Sequence, residues 1–87
     1  MKIFDKETIN EAYKLQDGEE FIFEYVAAGV GYQEKAIKMG EDIYYKMDSN
    51  PYQDAESGKA LECYCFFDKN ENMRVAVRTL SGEIELK

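Results

Sequence analysis

The sequence predicts an α+β fold in which one N-terminal helix packs on an antiparallel meander of five or six strands. A helical spacing of apolar residues occurs once, near the N-terminus, and alternating apolar segments separated by polar turns follow Gly18. The 87 residues, 45% of them hydrophobic, are enough for one core and contain no linker. We therefore expect a single domain over residues 1–87.

The predicted helix covers residues 5–15. Asp5 is placed to cap it, because a short side-chain acceptor satisfies the free backbone donors of a first turn. Phe4, just before this cap, and Ile9 have the spacing of a hydrophobic staple. The face expected to pack on the sheet contains Ile9, Ala12 and Tyr13. A helix this short is unstable alone, so the sheet must hold it.

The predicted strands differ in how their apolar residues alternate. Residues 21–28 carry apolar side chains on both faces, which is typical of a central strand partly covered on each side. Gly40 separates two alternating segments and predicts a tight hairpin. The segment 49–60 contains the only proline and predicts an exposed loop. The other predicted strands are residues 32–39, 42–48, 61–67 and 73–80, with a short sixth strand at 83–86.

The composition argues against catalysis. The chain has no histidine, so its serines lack the usual general base. The paired carboxylates lie next to turns rather than in a cleft. No glycine-rich loop is followed by the helix and the lysine that hold a phosphate. We therefore predict that the protein is not an enzyme, that it has no catalytic residues and that it uses no cofactor.

The two cysteines, Cys63 and Cys65, lie two positions apart in a predicted strand. Zinc needs about four ligands, and without histidine this pair lacks partners. A disulfide between residues two apart in a strand would be strained. We interpret both as small buried hydrophobic residues. Loops beginning at Asp48 and Asp68 start like calcium sites but lack the required glycine and the closing glutamate, so no metal site is predicted.

The chain carries 18 acidic and 11 basic residues, a net charge of −7. This charge repels the phosphates of nucleic acids and of anionic membranes, so direct binding to either is not expected. It attracts a basic protein, a class that includes nucleic-acid-binding proteins. The alternative is that the charge serves only solubility. A charged N-terminal segment and the lack of an apolar stretch of membrane length predict a cytoplasmic protein.

Seven tyrosines are interleaved with the acidic residues. Tyrosine suits binding surfaces because it offers apolar area and a hydroxyl group at little entropic cost. Strand alternation is expected to place Tyr44 outside the sheet with Lys46, and to place Tyr64 with Phe66 on an open face flanked by acids. The predicted partner-binding residues are Glu34, Glu41, Asp42, Tyr44, Tyr52, Asp54, Glu56, Glu62 and Tyr64.

These features predict a small acidic protein-binding module, an inhibitor that occupies a basic nucleic-acid-binding groove by placing carboxylates where phosphates would bind. In size and charge, though in no residue pattern, the chain is similar to phage-encoded inhibitors of nucleases and to anti-CRISPR proteins of the DNA-mimic type. One alternative is a homodimeric structural or adaptor domain, since open sheet edges are often buried by self-association. Another is a small-molecule sensor with a pocket near Tyr13, Tyr25 and Cys63.

Overall fold

The computed structural model describes all 87 residues. They form seven β-strands and one short 3-10 helix, Ile9–Lys14. The strands are β1 Lys2–Phe4, β2 Glu20–Ala27, β3 Val30–Met39, β4 Asp42–Lys46, β5 Glu62–Phe67, β6 Met73–Arg78 and β7 Ile84–Leu86. The chain divides into two compact units, Met1–Tyr45 and Lys46–Lys87, which are described in turn.

The predicted α+β class is wrong, because the structure is nearly all strand and contains no α-helix. In place of the expected helix over residues 5–15 there is a turn followed by the six-residue 3-10 helix. The buried or half-buried residues Ile9, Ala12 and Leu15 recur at every third position, which matches the three residues per turn of a 3-10 helix. Tyr13, expected on the inner face, is 48% exposed.

Asp5 ends β1 by organising the turn that follows it. Its Oδ1 accepts hydrogen bonds from the backbone N–H groups of Glu7 at 2.9 Å and Thr8 at 3.0 Å. Its backbone carbonyl accepts further hydrogen bonds from Thr8 and Ile9. The expected capping role of Asp5 therefore exists, but it serves a tight turn rather than the first turn of an α-helix.

The first unit contains a mixed sheet of β1 to β4. β1, a strand that the sequence analysis missed, pairs parallel with β2, from Lys2 opposite Phe21 to Phe4 opposite Phe23. The pairs β2–β3 and β3–β4 are antiparallel, as predicted. A strand of three residues is too short to show alternation, which explains why β1 left no pattern in the sequence.

One face of this sheet and the 3-10 helix enclose the core of the first unit. Phe21 is fully buried, and its ring centroid lies 5.4 Å from that of Phe4 in an edge-to-face arrangement. Ile9, Phe23 and Tyr45 are half-buried and pack against the cluster. The buried residues of this core are Phe4, Ala12, Leu15, Phe21, Ala36 and Ile43.

The second unit contains the antiparallel pairs β5–β6 and β6–β7, as predicted. Its core consists of Leu61, Cys63, Val75 and Val77. The segment 49–60 is an exposed loop, as predicted, except for the half-buried Asp54. The Asp54 carboxylate accepts hydrogen bonds from the backbone N–H of Ser57 at 2.8 Å and from its hydroxyl at 2.9 Å, which orders the loop.

The turn between β2 and β3 is strained at Ala28. Ala28 and Gly29 have φ values of 52° and 77°, the two positive values of a type I′ hairpin turn. A left-handed alanine costs about 1–2 kcal/mol, and asparagine tolerates this region better.

We expect Ala28→Asn to raise the free energy of unfolding by about 1 kcal/mol, measured by urea denaturation. Ala27→Asn is the control, and an equal gain there would contradict relief of strain at Ala28.

Candidate functional site

Strands β2 and β3 extend beyond their neighbours as a two-stranded hairpin. β1 stops pairing with β2 at Phe23, and β4 stops pairing with β3 at Ala36. Eight consecutive residues at the end of this hairpin, 26–33, are exposed. We call residues 24–33 the β2–β3 arm. Because an isolated two-stranded hairpin is marginally stable in water, the arm depends on contacts between its own side chains.

Cross-strand pairs on both faces stiffen the arm. Tyr25 and Tyr32 lie opposite each other, with ring centroids 5.3 Å apart and an interplanar angle of 18°. The Tyr25 hydroxyl donates a hydrogen bond to Glu34 at 3.0 Å. On the opposite face, Nε2 of Gln33 donates to Glu24 at 2.6 Å. Such pairs each stabilise a sheet by about 0.2–1 kcal/mol, so the two faces together favour one arm conformation.

A row of aromatic rings joins the arm to the core. The Phe23 ring centroid lies 5.6 Å from that of Tyr25 and 5.9 Å from that of Tyr45. Phe23 and Tyr45 both pack against the buried cluster of the first unit. The contact with Phe23 at the base of the arm therefore holds the Tyr25 ring in place, and Tyr25 in turn stacks on the ring of Tyr32. Tyr32 itself is 44% exposed.

An open groove of about 860 Å³ runs beside the arm, where the chain leaves β1. Its lining residues are Asp5, Lys6, Glu24, Tyr25, Val26, Gly31, Tyr32 and Gln33. The hydroxyl of Thr8, and then the backbone N–H groups of Thr8 and Glu7, hold the pKa of Asp5 below its ordinary value. Its carboxylate is therefore ionised at neutral pH.

The unit that contains the groove carries most of the net negative charge. Residues 1–45 include ten carboxylate side chains and five lysines, whereas residues 46–87 include eight carboxylate side chains and six basic ones. Two of the five lysines lie in ion pairs, Lys38 with Asp17 at 2.8 Å and Lys35 with Glu20 at 3.6 Å. The groove and its surroundings therefore favour a positively charged ligand.

The hydrogen bond to Glu34 raises the pKa of Tyr25, and burial raises the pKa of Tyr45. A raised pKa means that the folded state binds the proton more tightly than the unfolded state does. The stability that the protonated tyrosines contribute is therefore complete below about pH 10 and is lost as the pH rises through the raised values.

We expect Glu34→Gln to lower the pKa of Tyr25 towards its ordinary value, and NMR titration of the tyrosine ring carbons measures this change. Glu24→Gln, on the other face, is the control; an equal shift there would contradict this assignment.

Two of the predicted partner-binding residues lie in the interior, so their expected exposure is wrong. Tyr44 is 5% exposed and Tyr64 is 0% exposed. Tyr44 pairs with the fully buried Ile37, and Tyr64 pairs with the fully buried Ala76. The Tyr64 hydroxyl donates a hydrogen bond to Glu62. Alternation separates the two faces of a strand but does not show whether a face is covered, and at these positions it is.

The structure does not bring the predicted acidic residues onto one surface. Glu34, Glu62 and Asp54 accept hydrogen bonds from groups in their own unit. Within the first unit, strand register places Glu34 and Asp42 on opposite faces of the sheet. The remaining predicted residues lie in the turn at the start of β4 or in the loop before β5 and are Glu41, Asp42, Tyr52 and Glu56.

Both cysteines are free thiols. Cys63 is fully buried in the core of the second unit, and Cys65 is half-buried beside it. Burial raises the pKa of the Cys65 thiol, so it stays protonated and weakly nucleophilic at neutral pH. No three histidine, cysteine, aspartate or glutamate side chains come together in a way that would hold a metal ion.

The sequence analysis missed the groove. Asp5 was interpreted as a helix cap, and Tyr25 was considered only for a small-molecule pocket with Tyr13 and Cys63. The signal available was a two-residue turn, Ala28 and Gly29, between an apolar segment and an alternating one, which indicates a long hairpin. The groove itself was not visible because it depends on β1 ending before β2 does.

Comparison of the chain with known protein families, with curated proteins and with solved structures finds no match. The structure contains no helix whose length and apolarity would let it cross a bilayer. The β2–β3 arm, with its exposed residues 26–33, and the groove beside it are the candidate site for a ligand.

Proposed function

We propose that this protein binds a basic segment of a partner protein, which docks in the groove beside the β2–β3 arm. The observation that carries the proposal is the composition of the groove, where the carboxylates of Asp5 and Glu24 lie with the rings of Tyr25 and Tyr32. These groups line a surface on an arm that is exposed over eight consecutive residues. Carboxylates attract lysine and arginine, and tyrosine rings accept cations on their faces.

Preorganisation of the groove favours binding. The Tyr25 and Tyr32 rings are already stacked, and the Asp5 carboxylate is already ordered by three hydrogen-bond donors. Ordering such side chains on association costs about 0.5–1.5 kcal/mol for each one that was mobile beforehand. Here that cost is small, so more of the contact energy contributes to affinity.

A basic segment that belongs to a nucleic-acid-binding site would be withdrawn from nucleic acid by this docking. In that case the protein acts as an inhibitor, as the sequence analysis predicted, but through the groove rather than through the nine residues named there. We place this binding in the cytoplasm, where a reducing environment suits two free thiols.

Self-association is the second candidate, because Val26 and Val30 on the arm are 72% and 52% exposed. Apolar side chains of this kind favour burial against another surface. The net charge of −7 opposes it, since two copies repel each other at separations up to the screening length of about 8 Å. Charge therefore favours a basic partner over a second copy, and sedimentation at micromolar concentration distinguishes them.

Reversing the charge of Glu24 is expected to weaken binding of a basic peptide. The probe is a fluorescent six-residue peptide in which lysine and valine alternate, and binding is followed by fluorescence anisotropy. We expect Glu24→Lys to raise Kd about tenfold, equivalent to about 1.4 kcal/mol, because one attractive contact becomes repulsive. Lys6→Glu, which adds a carboxylate to the same groove, is expected to lower Kd.

The matched control is Glu41→Lys, which makes the same charge change at an exposed position outside the groove. Its effect is expected to stay within about twofold, because Glu41 does not line the groove and salt screens exposed charges. Equal effects of Glu24→Lys and Glu41→Lys would contradict a site in the groove. Equal affinity for a peptide with serine in place of lysine would contradict recognition of basic residues.

A further inference from the structure

The outer edge of β2 is open along the arm. β1 covers this edge only as far as Phe23, after which the chain turns away at Asp5. Residues 24–27 pair with β3 on their inner edge, and the pairing with β1 stops before them. The groove lies at this same place, with Asp5 and Lys6 on one side and Glu24, Tyr25 and Val26 among the residues on the other.

We propose that the basic segment binds by adding a β-strand to this open edge, in the position that β1 vacates. The inference rests on the proposed function and specifies how the segment is held. Four residues of strand span about 13 Å, and every second residue directs its N–H and C=O groups towards the open edge. These backbone groups supply affinity, while the neighbouring side chains select the sequence that is added.

The side chains along the edge define the occupant. Glu24 and Val26 lie on one face of the sheet and Tyr25 lies on the other, beside Tyr32 and Glu34. An added strand alternates in the same way, so when its basic side chains lie next to Glu24, its apolar side chains lie on the opposite face. A basic side chain on the other face reaches the Tyr25 and Tyr32 rings. The occupant is therefore an extended segment in which basic and apolar residues alternate.

The edge has only one of the devices that normally prevent strand addition. Natural open edges carry charged side chains, especially lysine, or proline or a bulge that discourages pairing with other strands. Residues 24–27 contain no lysine and no proline, and the register with β3 runs without interruption from Glu20 to Ala27. The one charge on this edge, that of Glu24, attracts a basic strand. Together with the acidic surroundings in the first unit, it repels a second copy of this chain.

The experiment compares the alternating lysine and valine peptide with the same peptide N-methylated at its two central residues. The two methyl groups remove one N–H from each edge of the peptide strand and leave its charges unchanged. We expect the methylated peptide to bind at least tenfold more weakly. We also expect NMR amide hydrogen exchange to slow on binding of the parent peptide at those residues of 24–27 whose N–H groups face the open edge. The amides of residues 30–33, on the other strand of the arm, are the internal control.

Each outcome decides between the proposals. Equal affinity of the two peptides, with Glu24→Lys still weakening both, would overturn strand addition and leave the groove as the binding site. A parent peptide that does not bind at 1 mM would overturn the proposed function as well. A dimer of the free protein whose amides at 24–27 are already protected would show that a second copy takes the edge, and would also overturn strand addition by a basic segment.

Discussion

Replacing Phe21 with alanine is expected to lower the free energy of unfolding by about 3–5 kcal/mol. Phe21 is fully buried, and its ring contacts the edge of Phe4 at a centroid distance of 5.4 Å. Removal of the ring leaves a cavity between the 3-10 helix and the sheet, which the backbone of β2 cannot close. Small domains are stable by only about 5–15 kcal/mol, so this variant has lost a large part of its stability.

Urea denaturation followed by circular dichroism measures this loss. The control is Phe67→Ala, which removes a ring of the same size that is 68% exposed at the end of β5. That change is expected to alter the free energy of unfolding by no more than about 0.5 kcal/mol. A smaller loss of stability for Phe21→Ala than for Phe67→Ala would contradict a core of the first unit that contains Phe21.

Replacing Tyr64 with alanine is expected to lower the free energy of unfolding by about 3–5 kcal/mol, as for Phe21→Ala, because Tyr64 is the largest fully buried side chain. Tyr64→Phe keeps the ring and removes only the hydroxyl that donates to Glu62, so it is expected to cost about 1–2 kcal/mol. This pair of variants separates the packing of the ring from its hydrogen bond. It also tests directly whether Tyr64 belongs to the interior or to a binding surface.

The control for Tyr64 is Tyr52→Ala in the exposed loop. Tyr52 is 37% exposed, and its ring lies 5.6 Å from the Nζ atom of Lys87. Loss of an exposed cation–π contact costs about 0.5–1 kcal/mol. If Tyr64→Ala is as stable as Tyr52→Ala and binds the basic peptide more weakly, burial of Tyr64 is contradicted. Tyr64 would then be a surface residue that contacts the partner, as the sequence predicted.

The Phe21 and Tyr64 variants also test the expectation of one domain over residues 1–87. Phe21 lies in the first unit and Tyr64 in the second. If the chain unfolds cooperatively, both variants shift the same single transition to lower urea concentration. Two transitions, each shifted by only one of the variants, would show that the units unfold independently.

Most strands were predictable because their signal is local. β2, β3, β4, β5 and β6 each span at least five residues of alternating or continuously apolar sequence bounded by turn residues, which indicates a strand. The turn at Gly40 was predictable for the same reason, because its φ of 60° suits glycine at the first position of a two-residue hairpin turn. Of the two strands of three residues, β7 was predicted from the turn at Ser81 and Gly82 before it, whereas β1 has no such turn before it and was missed.

The N-terminal segment shows where local reasoning fails. Ile9 and Ala12 fit an α-helix as well as a 3-10 helix, and only Leu15 at the next third position separates the two periods. Which helix forms depends on what the apolar face meets. Here it meets the sheet directly after β1, and the turn organised by Asp5 uses the residues that would form the first turn of an α-helix.

By itself the sequence determined that this chain is acidic, rich in tyrosine and built largely from antiparallel strands, because charge and alternation are properties of residues and their near neighbours. The tertiary structure alone decided which tyrosines are buried and where a strand edge stays open. Both depend on which strand pairs with which and on how far each pairing extends. Those lengths are set by packing between distant residues, such as Phe4 on Phe21, rather than by any local pattern.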